Sequence, residues 1–591
     1  DNILEKWFVK NIKADLDYLS KEIGVNKLLC RLMVNRDLKE PKEMDSFIDP
    51  QLDKLHNPFL MTDMDRAVEI ILNSIDNGEK IRISGDYDQD GNSAILTLYN
   101  GLSIFDANVD YVIPHRIKDG YGINERIVRE AKEDNIDLII TCDNGISAFD
   151  AIKLAKELEI KVIVTDHHDL SYTKENEEKE YLLPDGDAVL NPKRWDCEYP
   201  FKKLCGAGVA FKLIQAIYME RNIPMEEAYK LLEFVAMGTV CDVVDLIDEN
   251  RIIVKEGLER INNTDNIGLK ALIKATGLED KTIGTYSLGF IIGPCINASG
   301  RLDNAEIAVE LFLTEEQEKA EEYAHRLYSL NEERKSMTEK GFENVVENIE
   351  NSSIKKDNIL VVYESSIHES IAGIIAGRVK DRYYKPTFVL TDSKDENKIK
   401  GSGRSIEEYN MFEEITKTKE LLSVYGGHPM AAGLSLDLEN LNPFREKLNM
   451  ESTLTKEDLM PKVYMDMHLP LDYLSFSLVE DLKLLEPYGK GNPKPLFGEK
   501  NLRIKRAFIL GSNQNVLKLI FRTNRGRTMD GIYFGDIEGF ENWISRKYGF
   551  NELDKLYQGI ENNIELDIVY TPNINEYMGK RSLQVYIQSY R

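Results

Sequence analysis

Two rhythms of apolar and polar positions alternate along residues 61–190. Stretches with helical spacing give way to short β-like runs, I-R-I-S at 81–84, L-I-I-T-C at 138–142 and K-V-I-V-T at 161–165. That alternation predicts a parallel sheet with helices on its faces. Each run leads into a polar motif: D-Y-D-Q-D-G (86–91), D-N-G-I (143–146) and D-H-H (166–168). In a parallel α/β sheet such positions lie at the carboxyl ends of the strands, where ligand sites form. A fourth motif, A-M-G-T-V-C-D-V-V-D (236–245), adds Asp242. Asp86, Asp88, Asp90, Asp143, His167, His168 and Asp242 are therefore expected to converge on one crevice. So many carboxylates in one place would raise one another's pKa unless cations neutralised them. The simplest reading is a two-metal phosphoesterase site.

The remaining pattern sets the organisation. Residues 1–60 read as a polar helical segment with loops at Asp49-Pro50 and Asn57-Pro58, and 61–303 as the catalytic α/β domain. Within the latter, 171–180 (S-Y-T-K-E-N-E-E-K-E) is a charged excursion expected to be a loop, and 206–280 reads as helices. A long charged helix is predicted over 304–350, as a connector. A smaller α/β domain follows over 351–455, with I-L-V-V-Y as a strand and I-A-G-I-I-A-G-R-V as a buried helix. The last segment, 456–591, alternates like short strands separated by polar turns, and reads as a β-barrel of the oligonucleotide-binding (OB) type.

Each motif has a plainer explanation to set against the metal site. Asp143 before Asn-Gly could serve as a helix N-cap. D-Y-D-Q-D-G resembles the start of a calcium loop, but that pattern wants Glu six residues after the Gly, where this chain has Thr97. Adjacent histidines weigh more, because the chain has only 8 and neutral imidazole is a common metal ligand.

Bulk properties exclude several classes. No run of about 18 apolar residues predicts a transmembrane helix. The six cysteines form no C-x-x-C pair, against zinc ribbons and disulfide frameworks. Cys142 and Cys241 read as small buried residues. The chain begins at Asp1 with Lys6 and Lys10 but no apolar signal core, and reads as a reduced, cytoplasmic protein with no membrane partner. A net charge of −27 suits nucleic-acid binding poorly, yet 500–530 carries eight Lys/Arg against one acid, Asp530. Lys505, Arg506, Lys518, Arg522 and Arg525 are the candidate nucleic-acid contacts.

The order D-Y-D-x-D-G, D-N-G-I, D-H-H, G-T-V-x-D-V-V resembles the DHH phosphoesterase superfamily, and specifically the RecJ single-strand exonucleases. Further motifs extend the likeness over roughly residues 60–591: P-H-R-I-K-D-G-Y-G (114–122), G-P-C-I-N-A-S-G-R-L (293–302), K-G-S-G-R-S (400–405), G-G-H-P-M-A-A-G (426–433) and L-E-P-Y-G-K-G-N-P-K-P (485–495). Gln89 stands where Ala is common in the family, and Asn-Ser-Ala follows where a residue then Thr-Ser is usual. The resemblance implies a DHH domain and a DHHA1 domain. It also implies a bridging role for Asp143, and a pocket for a terminal 5′ phosphate built from Arg116, Arg301, Ser402 and Arg404, with His428 as a further contact. Guanidinium forks suit a phosphate dianion.

Mixed carboxylate and imidazole ligands favour two Mn²⁺ over Mg²⁺. Asp86, Asp88, Asp90, Asp143, His167 and Asp242 are the expected ligands. His168 is left to ligate or to reach the phosphate, and Asp166 to orient the pair. The expected activity is a 5′-to-3′ exonuclease releasing mononucleotides from single-stranded DNA in repair and recombination, with a single-strand-binding protein or helicase as a partner. Two alternatives are a phosphodiesterase of short RNA or dinucleotides, and a non-catalytic replication scaffold.

Overall fold

In the computed structural model the described residues are 4–591. They divide into two compact units, one of Pro50–Thr455 with Gly489–Gly491, the other of the residues up to Asp49, Lys456–Tyr488 and Asn492–Arg591.

The first unit opens with a five-stranded parallel sheet of β1 (Ile81–Ser84), β2 (Val109–Val112), β3 (Leu138–Cys142), β4 (Lys161–Thr165) and β5 (Ala188–Leu190), in the order β2-β1-β3-β4-β5. All five β3 residues are buried, as a strand covered on both faces requires. Helices α1 (Gln89–Ser103), α4 (Gly206–Glu220) and α5 (Leu232–Cys241) enclose one apolar core. Helices α2 (Glu125–Glu133) and α3 (Phe149–Glu157) enclose the second. From β1 the chain crosses to β2 on one side, and β3 returns to the other. The strand order thus reverses between β1 and β3, and their carboxyl ends flank a crevice where ligands bind in open α/β sheets.

Two expectations for this first unit need correction. The charged excursion after the histidines is a β-hairpin, Tyr172–Glu175 paired with Glu178–Tyr181. Asn176 and Glu177, both at positive φ (51° and 68°), make the two-residue turn that matches strand twist. The connector is also not one helix from 304. Helix α6 (Gly293–Leu302) is followed by a separate α7 (Glu306–Leu313), and only then by the 34-residue α8 (Gln317–Glu350). The Thr314 hydroxyl accepts from Glu316 N at 3.2 Å, a local bond that competes with helix continuation.

Beyond α8 a mixed sheet forms from β6 (Leu360–Tyr363), β7 (Thr387–Asp392), β8 (Lys398–Arg404), β9 (Val424–His428) and β10 (Ala431–Asp437), ordered β9-β10-β8-β7-β6. Only β6 and β7 are parallel. The helix α9 (Ala372–Tyr383) packs its Ile375, Ala376 and Val379 into the core against β6 and β7.

In the second unit, β11 (Phe497–Leu510), β12 (Val516–Arg522) and β13 (Thr528–Tyr533) form an antiparallel run. Strand β15 (Lys580–Tyr590) joins β13 in parallel, and β14 (Glu565–Tyr577) pairs with both β15 and β11. The N-terminal segment is not wholly helical. Lys6–Val9 is a strand pairing in parallel with Lys462–Met465, ahead of three helices between Leu16 and Ile48; residues 1–3 of that segment lie outside the described residues. Leu29, Leu32 and Phe47 of those helices share one core with Phe497, Phe521 and Phe540. No helix among the described residues is long and apolar enough to cross a membrane.

Candidate active site

The crevice beside β1 and β3 gathers the acidic motifs. Asp88 caps α1, accepting from Gly91 N at 2.7 Å, and Asp90 lies in the first turn of that helix. Asp90 in turn receives the first amides of α4, Gly206 N at 2.7 Å and Ala207 N at 2.9 Å, so a helix N-terminus supports its charge. Asp86 accepts from Tyr87 N through Oδ1, while its buried Oδ2 has no partner.

Asp143 ends β3 in the left-handed region (φ 61°), which Asp tolerates better than most residues. Several bonds lock that elbow. The Asn144 amide donates to the carbonyls of Ser84, Gly85 and Cys142, its Oδ1 accepts from Ile123 N, and the Tyr121 hydroxyl donates to Asp143 O. Asp242 arrives differently, as the residue after α5, followed by Val243 at φ 56°. A β-branched residue there is strained, and such strain concentrates at functional sites.

His167 Nε2 lies 3.0 Å from Asp143 Oδ1, 3.5 Å from Asp90 Oδ2 and 3.7 Å from Asp242 Oδ2. Three ligand-like groups result among the described residues: Asp86 with Asp88 and Asp143, Asp90 with His167 and Asp242, and Asp143 with Asp166, His167 and His168. Asp143 belongs to the first and third and touches His167 of the second. Burial first, and then the neighbouring carboxylates, push Asp143 and Asp242 well above the ordinary range; burial and Asp88 do the same to Asp86. Burial also raises Asp90 and lowers His167 to about 4, so its ring is neutral and able to ligate. The unpartnered Asp86 oxygen and this crowded negative charge fit divalent cations.

The two histidines part company. His168 Nδ1 lies 2.6 Å from Asp166 Oδ1 and its ring approaches the Tyr121 hydroxyl. Burial disfavours its charge, but Asp166 overrides this and raises it to about 9. Asp166 is engaged otherwise too, accepting from Ile146 N, His167 N and His168 N; despite burial, His168 holds it at about 2. That geometry pairs His168 with Asp166, which favours its charged form, and leaves Asp166 holding the D-H-H turn.

Arg116 and Arg301 line the same ≈ 280 Å³ cavity as Asp86, Asp88, Asp90 and Asp242. The Arg116 guanidinium sits 5.1 Å from the Tyr87 ring centroid, and Arg301 Nη1 donates to Ser370 O. Burial, followed by Arg116, Arg334 and Arg404, lowers Arg301 to about 9. Burial and Arg116 also lower Arg404. On β8, Ser402 and Arg404 stand two residues apart on one face. Arg404 and His428 both pair with Ala431, which puts the exposed His428 beside that row. Among the described residues none of Arg116, Arg301 and Arg404 has an ion-pair partner, although the chain carries 102 acidic residues.

Three residues near the site went unassigned in the sequence. Tyr121 and Asn297 (whose Oδ1 accepts from Gln89 N) lay inside quoted motifs. Arg334, in the middle of α8, carries no local signal at all.

The basic candidates belong to the second unit. A bulge in β11 between Ile504 and Arg506 leaves Lys505 and Arg506 both exposed. Lys518 and Arg522 project from the outer face of β12, where Lys518 pairs with Asp530 at 3.3 Å. The Arg525 guanidinium lies 5.9 Å from the Tyr473 ring.

A switch-point crevice of carboxylates and imidazole, walled by unpaired arginines, defines a metal-assisted phosphoesterase of the DHH class. Family models match residues 80–239 (DHH family, N-terminal domain), 356–452 (DHHA1 domain) and 465–589 (RecJ OB domain). The chain is 34% identical over 586 residues to the single-stranded-DNA-specific exonuclease RecJ of Bacillus subtilis, spanning 99% of this chain and 70% of that one. It is 32% identical to the Escherichia coli RecJ, over 95% of each. Crystalline Thermus thermophilus RecJ in complex with Mn²⁺ matches with a TM-score of 0.81 at 26% identity, covering 99% of this chain and 79% of that one. An exonuclease RecJ bound to manganese matches with a TM-score of 0.58 at 29% identity, covering 69% and 100%. The chain belongs to the RecJ family of single-strand-specific DNA exonucleases.

Proposed function

We propose that this chain removes 5′-mononucleotides from single-stranded DNA in the 5′-to-3′ direction, using two divalent cations, with Mn²⁺ preferred. The observation that carries this is one cavity lined by four aspartates and by Arg116 and Arg301. Asp86, Asp88 and Asp143 would hold one cation, and Asp90, His167 and Asp242 the other, with Asp143 also beside His167. Two such cations supply positive charge for the scissile phosphate and acidify water for the attack.

The chain's own residues do the rest. Arg116, Arg301 and Arg404, with Ser402 and His428, hold the terminal 5′ phosphate and so set which linkage reaches the cavity. Asp166 keeps His168 charged through Nδ1, and its Nε2–H donates to a phosphate oxygen. Lys505, Arg506, Lys518, Arg522 and Arg525 hold the strand backbone. A single-strand-binding protein or a helicase delivers the strand, in the cytoplasm.

Oligonucleotides of DNA and RNA labelled at the 5′ or the 3′ end, incubated with Mn²⁺ or Mg²⁺, test this. Release of labelled mononucleotide from the 5′ end of single-stranded DNA is expected first. Shortening from the 3′ end, or turnover of dinucleotides alone, contradicts it.

A further inference from the structure

A second cavity, ≈ 550 Å³, shares a wall with the metal cavity. Tyr87 and the Arg116 guanidinium stacked on it line both. The second cavity extends from the carboxyl end of β2, at Ile113 and Pro114, to the turn between α6 and α7. Its volume falls within the range of small-molecule sites.

The charges around it are mostly spent on one another. Asp119 is held by Arg126 at 2.8 Å, and Asp303 by Arg326 at 2.8 Å. Among the described residues, four polar groups are uncommitted. Arg116 has no carboxylate partner. The His115 Nδ1 accepts from Ile117 N and Lys118 N (both 3.2 Å), which leaves its proton on Nε2 as a donor. On the far side, the Asn304 Nδ2 and the Glu306 carboxylate make no hydrogen bond, although Asn304 Oδ1 accepts from Glu306 N. Ile113, Pro114, Leu302 and Ala305 supply apolar wall between these ends. A cationic end, an apolar flank and a polar far end match a phosphate, a sugar and a base edge in turn.

We propose that this cavity is a holding site for the released nucleoside 5′-monophosphate, with Arg116 in contact with its phosphate on either side of the wall. The proposal rests on the exonuclease reading above. No bond is made or broken there. Its consequence is that product leaves by a route that does not retrace the incoming strand, so the metal cavity clears for the next linkage.

Calorimetry with thymidine 5′-monophosphate on the full chain in EDTA tests it directly. The nucleotide should bind, and thymidine at least tenfold more weakly. Ala305→Trp, which fills the cavity, and the milder Asn304→Ala should each weaken nucleotide binding, the former at least tenfold. An unchanged thermal midpoint in either variant checks its folding. With Mn²⁺ present, the monophosphate should inhibit strand degradation in the parent and much less in Ala305→Trp. Equal inhibition of the parent and Ala305→Trp, or equal nucleotide binding by the parent and both variants, overturns the proposal. Because the binding measurement needs no turnover, absence of 5′-end release would count against the exonuclease reading alone.

Discussion

Gly206 carries an unusual constraint for a helix N-terminus. A Cβ there would lie 2.5 Å from the Cβ of Asp143 and 2.6 Å from its Oδ1. Asp143 cannot step back, because its elbow is locked by Asn144 and Tyr121. Gly206→Ala is therefore expected to turn the Asp143 carboxylate out of position. Turnover should fall at least tenfold and Mn²⁺ affinity should drop, read by steady-state kinetics and metal titration, while far-ultraviolet circular dichroism stays unchanged. Full activity in Gly206→Ala would show that Asp143 need not sit where it does. Arg404 gives a second residue-scale test. A charge-assisted contact is worth roughly 1.5–3 kcal/mol. Arg404→Ala should thus reduce the preference for 5′-phosphorylated over 5′-hydroxyl strands by about tenfold or more. An undiminished preference would remove Arg404 from the end pocket. At this scale the strand-end motifs were legible because strand, turn and ligand sit within ten residues of one another. The division between His167 and His168 was not. It depends on which carboxylates fold against each ring, and Asp143, Asp90 and Asp242 come from three separate segments.

Single elements carry two further predictions. His56 lies just before the sheet, its Nε2 2.8 Å from Asp248 Oδ1 at the start of the helix Asp248–Asn262. The Asp248 hydrogen bond raises His56 above its ordinary 6.5, against an opposing push from burial. A histidine raised in the folded state adds stability that is fully present below about pH 6.5 and lost as pH rises through the folded value. Relative to the parent, His56→Gln should lower the melting temperature at pH 6 and change it little at pH 9. A difference that does not shrink with pH would mean that the ion pair contributes nothing. On β11 and β12, the bulge and strand alternation leave Lys505, Arg506 and Arg522 without carboxylate partners among the described residues, and Arg525 beside Tyr473. Neutralising these four together should weaken binding of long single strands and flatten its salt dependence, while a dinucleotide is degraded as before. Equal losses on long and short substrates would assign the cluster to folding. The alternation of A-F-I-L-G and V-L-K-L-I-F made these strands legible. The break between α7 and α8 was not, because it turns on one threonine side-chain bond within a pattern that is otherwise helical throughout.

For the whole molecule, the buried carboxylates set the balance between metal-free and metal-bound states. Burial and mutual repulsion raise Asp86, Asp90, Asp143 and Asp242, so negative charge gathered there is costly without a counter-ion. Mn²⁺ should raise the melting temperature by several degrees over EDTA, increasing with concentration as expected for a ligand bound only to the native state. A shift of the same size in Asp143→Ala would place the stabilising ions elsewhere. The sequence alone determined the parallel sheet, the acidic and histidine motifs at its strand ends and the basic β segment, because each is written in local period or in contiguous motifs. Tertiary structure alone decided the rest. It brought Asp242 in from a helix end, and Arg301 from α6 and Arg404 from β8 into reach of each other's charge. It also joined Leu29, Leu32 and Phe47 to one core with residues more than 400 positions away, among them Phe497, Phe521 and Phe540. The physical reason is that a local pattern records which face of an element is apolar. Which distant face covers it, and which charges then share the space between, is settled only when the chain has closed around its cores.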